Sequence, residues 1–301
     1  MSSIEALPRS TVLPAWIRLL RPRQWVKNCF VLVPLLFSGK FIDPAAVASA
    51  ALAFLAFCFV ASAVYAGNDV ADREADRAHP TKRDRPVASG QISTSLALGA
   101  SLTLAVMALG LAAVVDLSLL AIISLYLVLN VAYTLWLKRL VILDVFTIAA
   151  FFLLRLLAGT TAIHVQPSIW LLLCGGLLSL YLGFAKRRHE LVLLGEHSSV
   201  HRSVLQEYSQ LFLDQMSTVL LSVTVVSYIM YTVSHEKLAE VGSYALTGST
   251  VFVLYGVFRY LYLVHNRQGG SPTETLLTDR ALIVDVVLWA LYCTMVIYRP
   301  F

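Results

Sequence analysis

Nine long apolar runs constrain this 301-residue chain more than anything else in it. They cover 26–42, 45–66, 95–115, 118–137, 141–163, 168–185, 211–234, 245–265 and 281–298. A bilayer's hydrocarbon core is about 30 Å thick and takes roughly 20 apolar residues of helix to cross. Backbone inside hydrocarbon must satisfy its own hydrogen bonds, so the runs read as helices rather than strands. The chain is 58% hydrophobic, whereas soluble domains run at about 45–50%. Mean hydropathy is +0.75. The pattern predicts an all-α integral membrane protein, about nine transmembrane helices in a single domain over 1–301, with no soluble domain inserted. The first run is the weakest, because Pro34 stands near its middle.

Charge then sets the topology. Lys and Arg gather in alternate loops: Arg9 to Lys27, Arg73 to Arg85, Lys138 and Arg139, Lys186 to Arg202, and Arg267 with Arg280. Those groups hold eighteen of the 23 basic residues; the opposite side holds only Lys40, Lys237 and Arg299. By the positive-inside rule, the segment 1–25 and the loops 67–94 and 186–210 face the cytoplasm. Chemistry is expected there, because the other face is nearly bare. The localisation expected is the inner (plasma) membrane, multi-pass. The net charge of +5 does not point to nucleic acid, since the basic residues fall in short pieces between apolar runs. Anionic head groups and phosphate substrates suit that layout better. The four cysteines lie scattered inside apolar runs without metal-site spacing and read as small buried residues. The oligomeric state stays open, a homo-oligomer included.

The stretch Gly67–Arg85 (GNDVADREADRAHPTKRDR) has charge on ten of its nineteen residues. On a helix, spacings of three and four place Asn68 or Asp69, Asp72 and Asp76 on one face. Stacked carboxylates repel unless a cation joins them, and oxygen ligands in this number suit Mg²⁺ shared with substrate phosphates. The competing reading is a solvated loop of alternating salt bridges through Asp72, Arg73, Glu74, Asp76 and Arg77. Lys82, Arg83 and Arg85 follow at once and look like clamps for phosphate oxygens, or like topology signals alone. Asp144 and Arg155 lie eleven apart in the fifth run, nearly on one face. Charge within a span defaults to function, with a structural ion pair as the equal alternative. Lys27 and Asn28 at the head of the first run, and Asp279 with Arg280 before the last, are further candidates for the rim. His189, His197 and His201 read as a solvated face rather than a metal site.

NDVADREADRAHPTKRDRPVASG resembles the first Asp-rich motif of the UbiA superfamily of intramembrane prenyltransferases. RPRQWVKN (Arg21–Asn28), ASAVYAGNDVADREADRAHPTKRDRP (Ala61–Pro86) and AKRRHEL (Ala185–Leu191) are similar to the superfamily's decaprenyl-phosphate phosphoribosyltransferases. The likeness covers most of the chain. It implies a UbiA-type bundle with a cytoplasmic-facing active site. It also implies Mg²⁺ on Asn68, Asp69, Asp72 and Asp76, the same four residues being catalytic. The implied reaction moves a 5-phosphoribosyl group from phosphoribosyl diphosphate to a polyprenyl phosphate, on the route to lipid-linked arabinofuranose.

One departure is informative. The wider superfamily carries a second Asp-rich motif after the sixth helix, where this chain has Lys186, Arg187, Arg188, His189 and Glu190. A basic cluster cannot hold a metal but can neutralise phosphate, which fits a reaction with phosphates beyond the diphosphate. Tyr133 and Lys138 in YTLWLKR match the position of a YPxxKR piece common in the superfamily, with Thr134 where Pro is usual. Lys27, Lys82, Arg83, Arg85, Tyr133, Lys138, Arg155, Lys186 and Arg187 are thus the expected phosphate-binding set. Two rival readings are an aromatic prenyltransferase with a polyprenyl diphosphate donor, and a non-enzymatic lipid-phosphate transporter.

Overall fold

In a computed structural model the chain is described over residues 14–78, 82–194, 203–266, 275 and 278–298. The segment before Pro14, the loop around His197 and His201, and Arg267 lie outside these residues. A short helix α1 (Ala15–Leu20) leads into a 3-10 helix (Pro22–Val31) and α2 (Val33–Phe37). Then come α3 (Pro44–Ala71), α4 (Arg73–Ala78), α5 (Thr94–Val115), α6 (Leu117–Leu135), α7 (Leu143–Ala162) and α8 (Ile169–Leu194). The rest is α9 (Gln210–Thr232), α10 (His235–Val241), α11 (Thr250–Asn266) and α12 (Arg280–Ile297).

Among the described residues eight helices are long and apolar enough to cross a membrane: α3, α5 to α9, the stretch Tyr244–His265 that contains most of α11, and α12. Their starts are chemically marked. Asp43, Ser93, Asp116, Ser209 and Asp279 cap α3, α5, α6, α9 and α12 by accepting from backbone amides. Each cap satisfies one of the first-turn N–H groups that a helix cannot pair internally.

The run over 26–42 departs from expectation. It forms no continuous spanning helix but the 3-10 helix and α2, with Pro34 in the first turn of α2. Asn28 and Val31 of the 3-10 helix and Pro34 and Leu35 of α2 are buried. The segment is pressed against α7 at Gly159, where an added Cβ would stand 2.1 Å from the Val31 carbonyl oxygen.

The bundle packs through small residues. Ala46, Ala50, Ala53, Ala56, Ala63 and Ala66 of α3, and Ala97, Ala108 and Ala112 of α5, are buried, and α3 packs chiefly on α5. Small side chains allow the close backbone approach on which membrane helix association depends. Leu98, Leu102, Val106 and Val114 of α5 are exposed, as lipid-facing positions require.

Two helices run farther than their apolar runs. α3 continues through Asn68 and Asp69 to Ala71, and α8 continues through Lys186–Glu190 to Leu194. The basic cluster expected in a loop is therefore helical.

Candidate active site

The Asp-rich stretch bends where α3 ends. Asp72 is the C-cap of α3 and α4 starts at Arg73. The amides of Asp72 and Asp76 still reach the carbonyls of Asn68 and Asp72, at 2.8 Å each. Helical spacing is thus kept across the junction, and the stretch splits by face. Arg73, Glu74 and Arg77 form an outward salt-bridge group. Asp69 and Asp76 turn inward and are buried.

Each acid meets a cation. Arg85 Nη1 lies 2.6 Å from Asp76 Oδ2 and 3.3 Å from Asp69 Oδ1. Arg21 also pairs with Asp69 Oδ1. Asp72, more exposed, faces Lys138 Nζ at 3.6 Å. Thr134 Oγ1 donates to Asn68 Oδ1 at 3.1 Å. Thr134, which replaces the proline of the superfamily pattern, thus orients the first residue of the motif. Lys82 and Arg83 lie on the turn after the motif, half-buried and exposed respectively.

Asp144 and Arg155 do not pair, although they share a helix face. Arg155 is buried, and its donors go to Asn28 Oδ1 (2.8 Å), the Phe151 carbonyl (2.7 Å) and Tyr126 OH (3.1 Å). The rings of Phe57, Tyr126 and Phe152 lie within 5.5 Å of its guanidinium carbon, in cation–π range. Lys27 sits nearby, half-buried. Arg21 at the Asp69 end of α3 and Lys40 at the Ile163 carbonyl bracket this segment, so Lys27 lies within the thickness of the bundle. Among the described residues no ion pair joins a carboxylate to Lys27 or Arg155. A pair of cations in low dielectric without a counter-charge favours an anion.

Asp144 belongs to another cluster. Arg187 Nε lies 2.6 Å from Asp144 Oδ2, and both side chains are 0% exposed. Arg187 also pairs with Glu190 and donates to Tyr133 OH at 3.1 Å. Tyr208 OH accepts from the Ile142 amide at 2.6 Å and donates to Asp144 Oδ1 at 2.8 Å. That bond braces Ile142, whose φ of 69° is unusual for a β-branched residue. Arg187 is thus enclosed, and the structure does not bring it to the mouth of the site. Lys186 is exposed, 3.9 Å from Glu190, and Arg188 pairs with Asp214.

Sequence reasoning missed Arg21, Tyr126, Thr134 and Tyr208 as members of these networks. Arg21 stood within the RPRQWVKN motif, but nothing in its spacing pointed to Asp69, 48 positions away.

Among the described residues no three His, Cys, Asp or Glu side chains gather closely enough to hold a metal. The residues fit Mg²⁺ in another way. Two carboxylates share one Arg85 nitrogen, and Asp69 Oδ2 is buried without a hydrogen-bond partner. Mg²⁺ is commonly held by one or two carboxylates plus substrate phosphates rather than by a complete protein cage.

The chain matches the UbiA prenyltransferase family over residues 29–284. It belongs to that family. It is therefore a membrane transferase with a multi-pass helical bundle. It is 31% identical over 296 residues to a decaprenyl-phosphate phosphoribosyltransferase of Corynebacterium glutamicum, covering 97% of this chain and 89% of the relative. A Mycolicibacterium smegmatis protein of the same name is 32% identical, with 94% and 92% covered. The fold is also that of a solved UbiA homologue from Archaeoglobus fulgidus bound to GPP and Mg²⁺, with TM-score 0.72 at 18% identity, covering 94% of this chain and 99% of the other.

Proposed function

We propose that this UbiA-family chain transfers a 5-phosphoribosyl group from phosphoribosyl diphosphate to a polyprenyl phosphate, releasing diphosphate. The observation that carries the reading is the Lys27–Arg155 pair, buried to different degrees and without a carboxylate counter-charge beside the Asp-rich cluster. A site with one acidic cluster and surplus positive charge suits substrates with phosphates beyond one diphosphate. The names of the relatives from C. glutamicum and M. smegmatis support the same reaction.

Asn68, Asp69, Asp72 and Asp76 would hold Mg²⁺ with the donor diphosphate. When bound, Mg²⁺ would offset the charge that grows on the departing diphosphate. The bond from the anomeric carbon to the diphosphate oxygen breaks, and a new one forms to an oxygen of the lipid phosphate, with inversion. The acceptor is anionic at neutral pH because a phosphate monoester's second pKa is about 6, so no general base is needed. Lys27, Lys82, Arg83, Arg85, Lys138, Arg155 and Lys186 hold the phosphates that do not react. Asn28, Tyr126 and Thr134 hold their partners in place. Catalysis is then mainly positioning and charge neutralisation. Arg187 acts through Tyr133 and not on substrate. The Lys and Arg distribution supports a plasma-membrane protein with the site on the cytoplasmic side. The product would serve a lipid-linked arabinofuranose route to cell-envelope polysaccharide.

The test is incubation of membranes containing the protein with ribose-labelled phosphoribosyl diphosphate and Mg²⁺, then lipid extraction. Label in the organic phase is expected. Label entering lipid only from a polyprenyl diphosphate, with an aromatic acceptor, would overturn the reading.

A further inference from the structure

A 3-10 helix of ten residues is unusual, because its hydrogen bonds are poorer than those of an α-helix and most runs stop at three or four residues. Its geometry makes every third residue eclipse. The exposed row follows that rule: Arg23, Val26 and Cys29 are exposed, while Gln24, Lys27 and Phe30 are half-buried, and the row of Pro22, Trp25, Asn28 and Val31 passes from half-buried to buried. Arg21, the N-cap residue, is also half-buried but stands outside the helix, with a left-handed backbone. Six residues at a rise of about 2.0 Å each set Lys27 about 12 Å along the helix axis from Arg21.

Arg21 is held with unusual care. Its backbone is left-handed, at φ 52° and ψ 57°, a conformation that disfavours residues with a Cβ. Its guanidinium carbon lies 4.9 Å above the Tyr65 ring. Its Nη2 bonds the buried Asp69. Among the described residues Nε and Nη1 make no hydrogen bond. One edge and one face are thus fixed, and the other edge is offered beside the Asp-rich cluster. A planar guanidinium with a free edge is a fork suited to phosphate oxygens.

We infer that Arg21 contacts the donor diphosphate directly, and that the 3-10 helix is a ruler setting Lys27 on a second phosphate two turns away. The inference rests on the phosphoribosyl-transfer reading for the identity of the donor, but not for binding of diphosphate. Arg21 shares Asp69 with Arg85 at the Asp-rich end. Lys27 lies at the Arg155 end. A substrate with two phosphate groups separated by a sugar would engage both.

The test uses the purified full chain and three variants. Arg21→Gly accepts the left-handed backbone while deleting the fork. Arg21→Lys keeps the charge without the fork. Lys27→Gln removes the second cation. Binding of inorganic diphosphate in the presence of Mn²⁺ is measured first, by the spin resonance of the metal, beside the thermal unfolding midpoint. We expect Arg21→Gly to weaken diphosphate binding at least about tenfold, the scale of a lost charge-assisted hydrogen bond, with its midpoint kept. Arg21→Lys falls between. Lys27→Gln leaves diphosphate affinity within about twofold but raises KM for phosphoribosyl diphosphate at least about tenfold. Equal diphosphate affinity in wild type and Arg21→Gly would overturn the role of Arg21. Equal loss in Arg21→Gly and Lys27→Gln would overturn the ruler. If wild type binds diphosphate, loses it on Arg21→Gly, and yet transfers no phosphoribosyl group, the inferred contact stands and the proposed reaction falls. If wild type binds no diphosphate, both fall.

Discussion

Arg155 Nε donates to Asn28 Oδ1 at 2.8 Å, joining α7 to the 3-10 helix across 127 positions of sequence. The bond is between a charge and a neutral amide, so it orients the guanidinium without cancelling its charge. Asn28 also donates to Cys58 Sγ at 3.3 Å, which fixes the amide from its other side. Asn28→Asp would turn this contact into an ion pair. The variant should fold at least as well as wild type, because buried Arg155 gains a counter-charge. Its KM for phosphoribosyl diphosphate should rise at least about tenfold, as neutralised Arg155 attracts phosphate less. Steady-state kinetics and a thermal melt of the same preparation check both halves.

Asp76 and Asp69 share Arg85, so their loss affects metal and phosphate sites together. Asp76→Ala or Asp72→Ala should cut transfer by about 10²-fold or more, the scale on which an electrostatic transition-state contact acts. The Asp72→Ala protein should remain inserted and folded, since Asp72 is at a helix end and partly exposed. Product counting against protein quantity measures the effect. Near-normal turnover would remove these residues from the mechanism.

Arg187, Asp144 and Glu190 form an ion cluster with Arg187 and Asp144 fully buried. Removing one partner of a buried pair typically costs about 3–5 kcal/mol, since the other charge is left uncompensated. Arg187→Met should lower stability on that scale, and adding Asp144→Asn should recover part of the loss. Unfolding midpoints of the single and double variants test this. Catalysis should fall with the folded fraction, because Arg187 reaches the site only through Tyr133.

The helical bundle was largely legible because lipid demands apolar runs of a set length, and those runs stand out in α3, α5 to α9, α11 and α12. The first run was misleading. Hydropathy registers its apolar residues but not the 3-10 winding of Pro22–Val31, nor the close approach of Gly159 on α7 to the Val31 carbonyl. The end of α8 was misread for the opposite reason. Lys186–Glu190 ends the apolar run but not the helix, since Asp144 and Asp214 on other helices pair with Arg187 and Arg188. The Asp-rich stretch was visible as a cluster of charge. Its partners Arg21 and Lys138 were not readable as such, because pairing across the bundle leaves no local spacing. Asp144 and Arg155 do share a face, but Asp144 pairs with Arg187, and Arg155 bonds the neutral Asn28 and Tyr126, neighbours invisible from α7 alone.

The most direct measurement is the mass of the lipid made by purified protein given phosphoribosyl diphosphate, a polyprenyl phosphate and Mg²⁺. The account predicts a lipid heavier by one phosphoribosyl group, one diphosphate released for each lipid modified, and neither product once the metal is chelated. An unchanged polyprenyl phosphate despite a folded, membrane-inserted protein and both substrates present would contradict it.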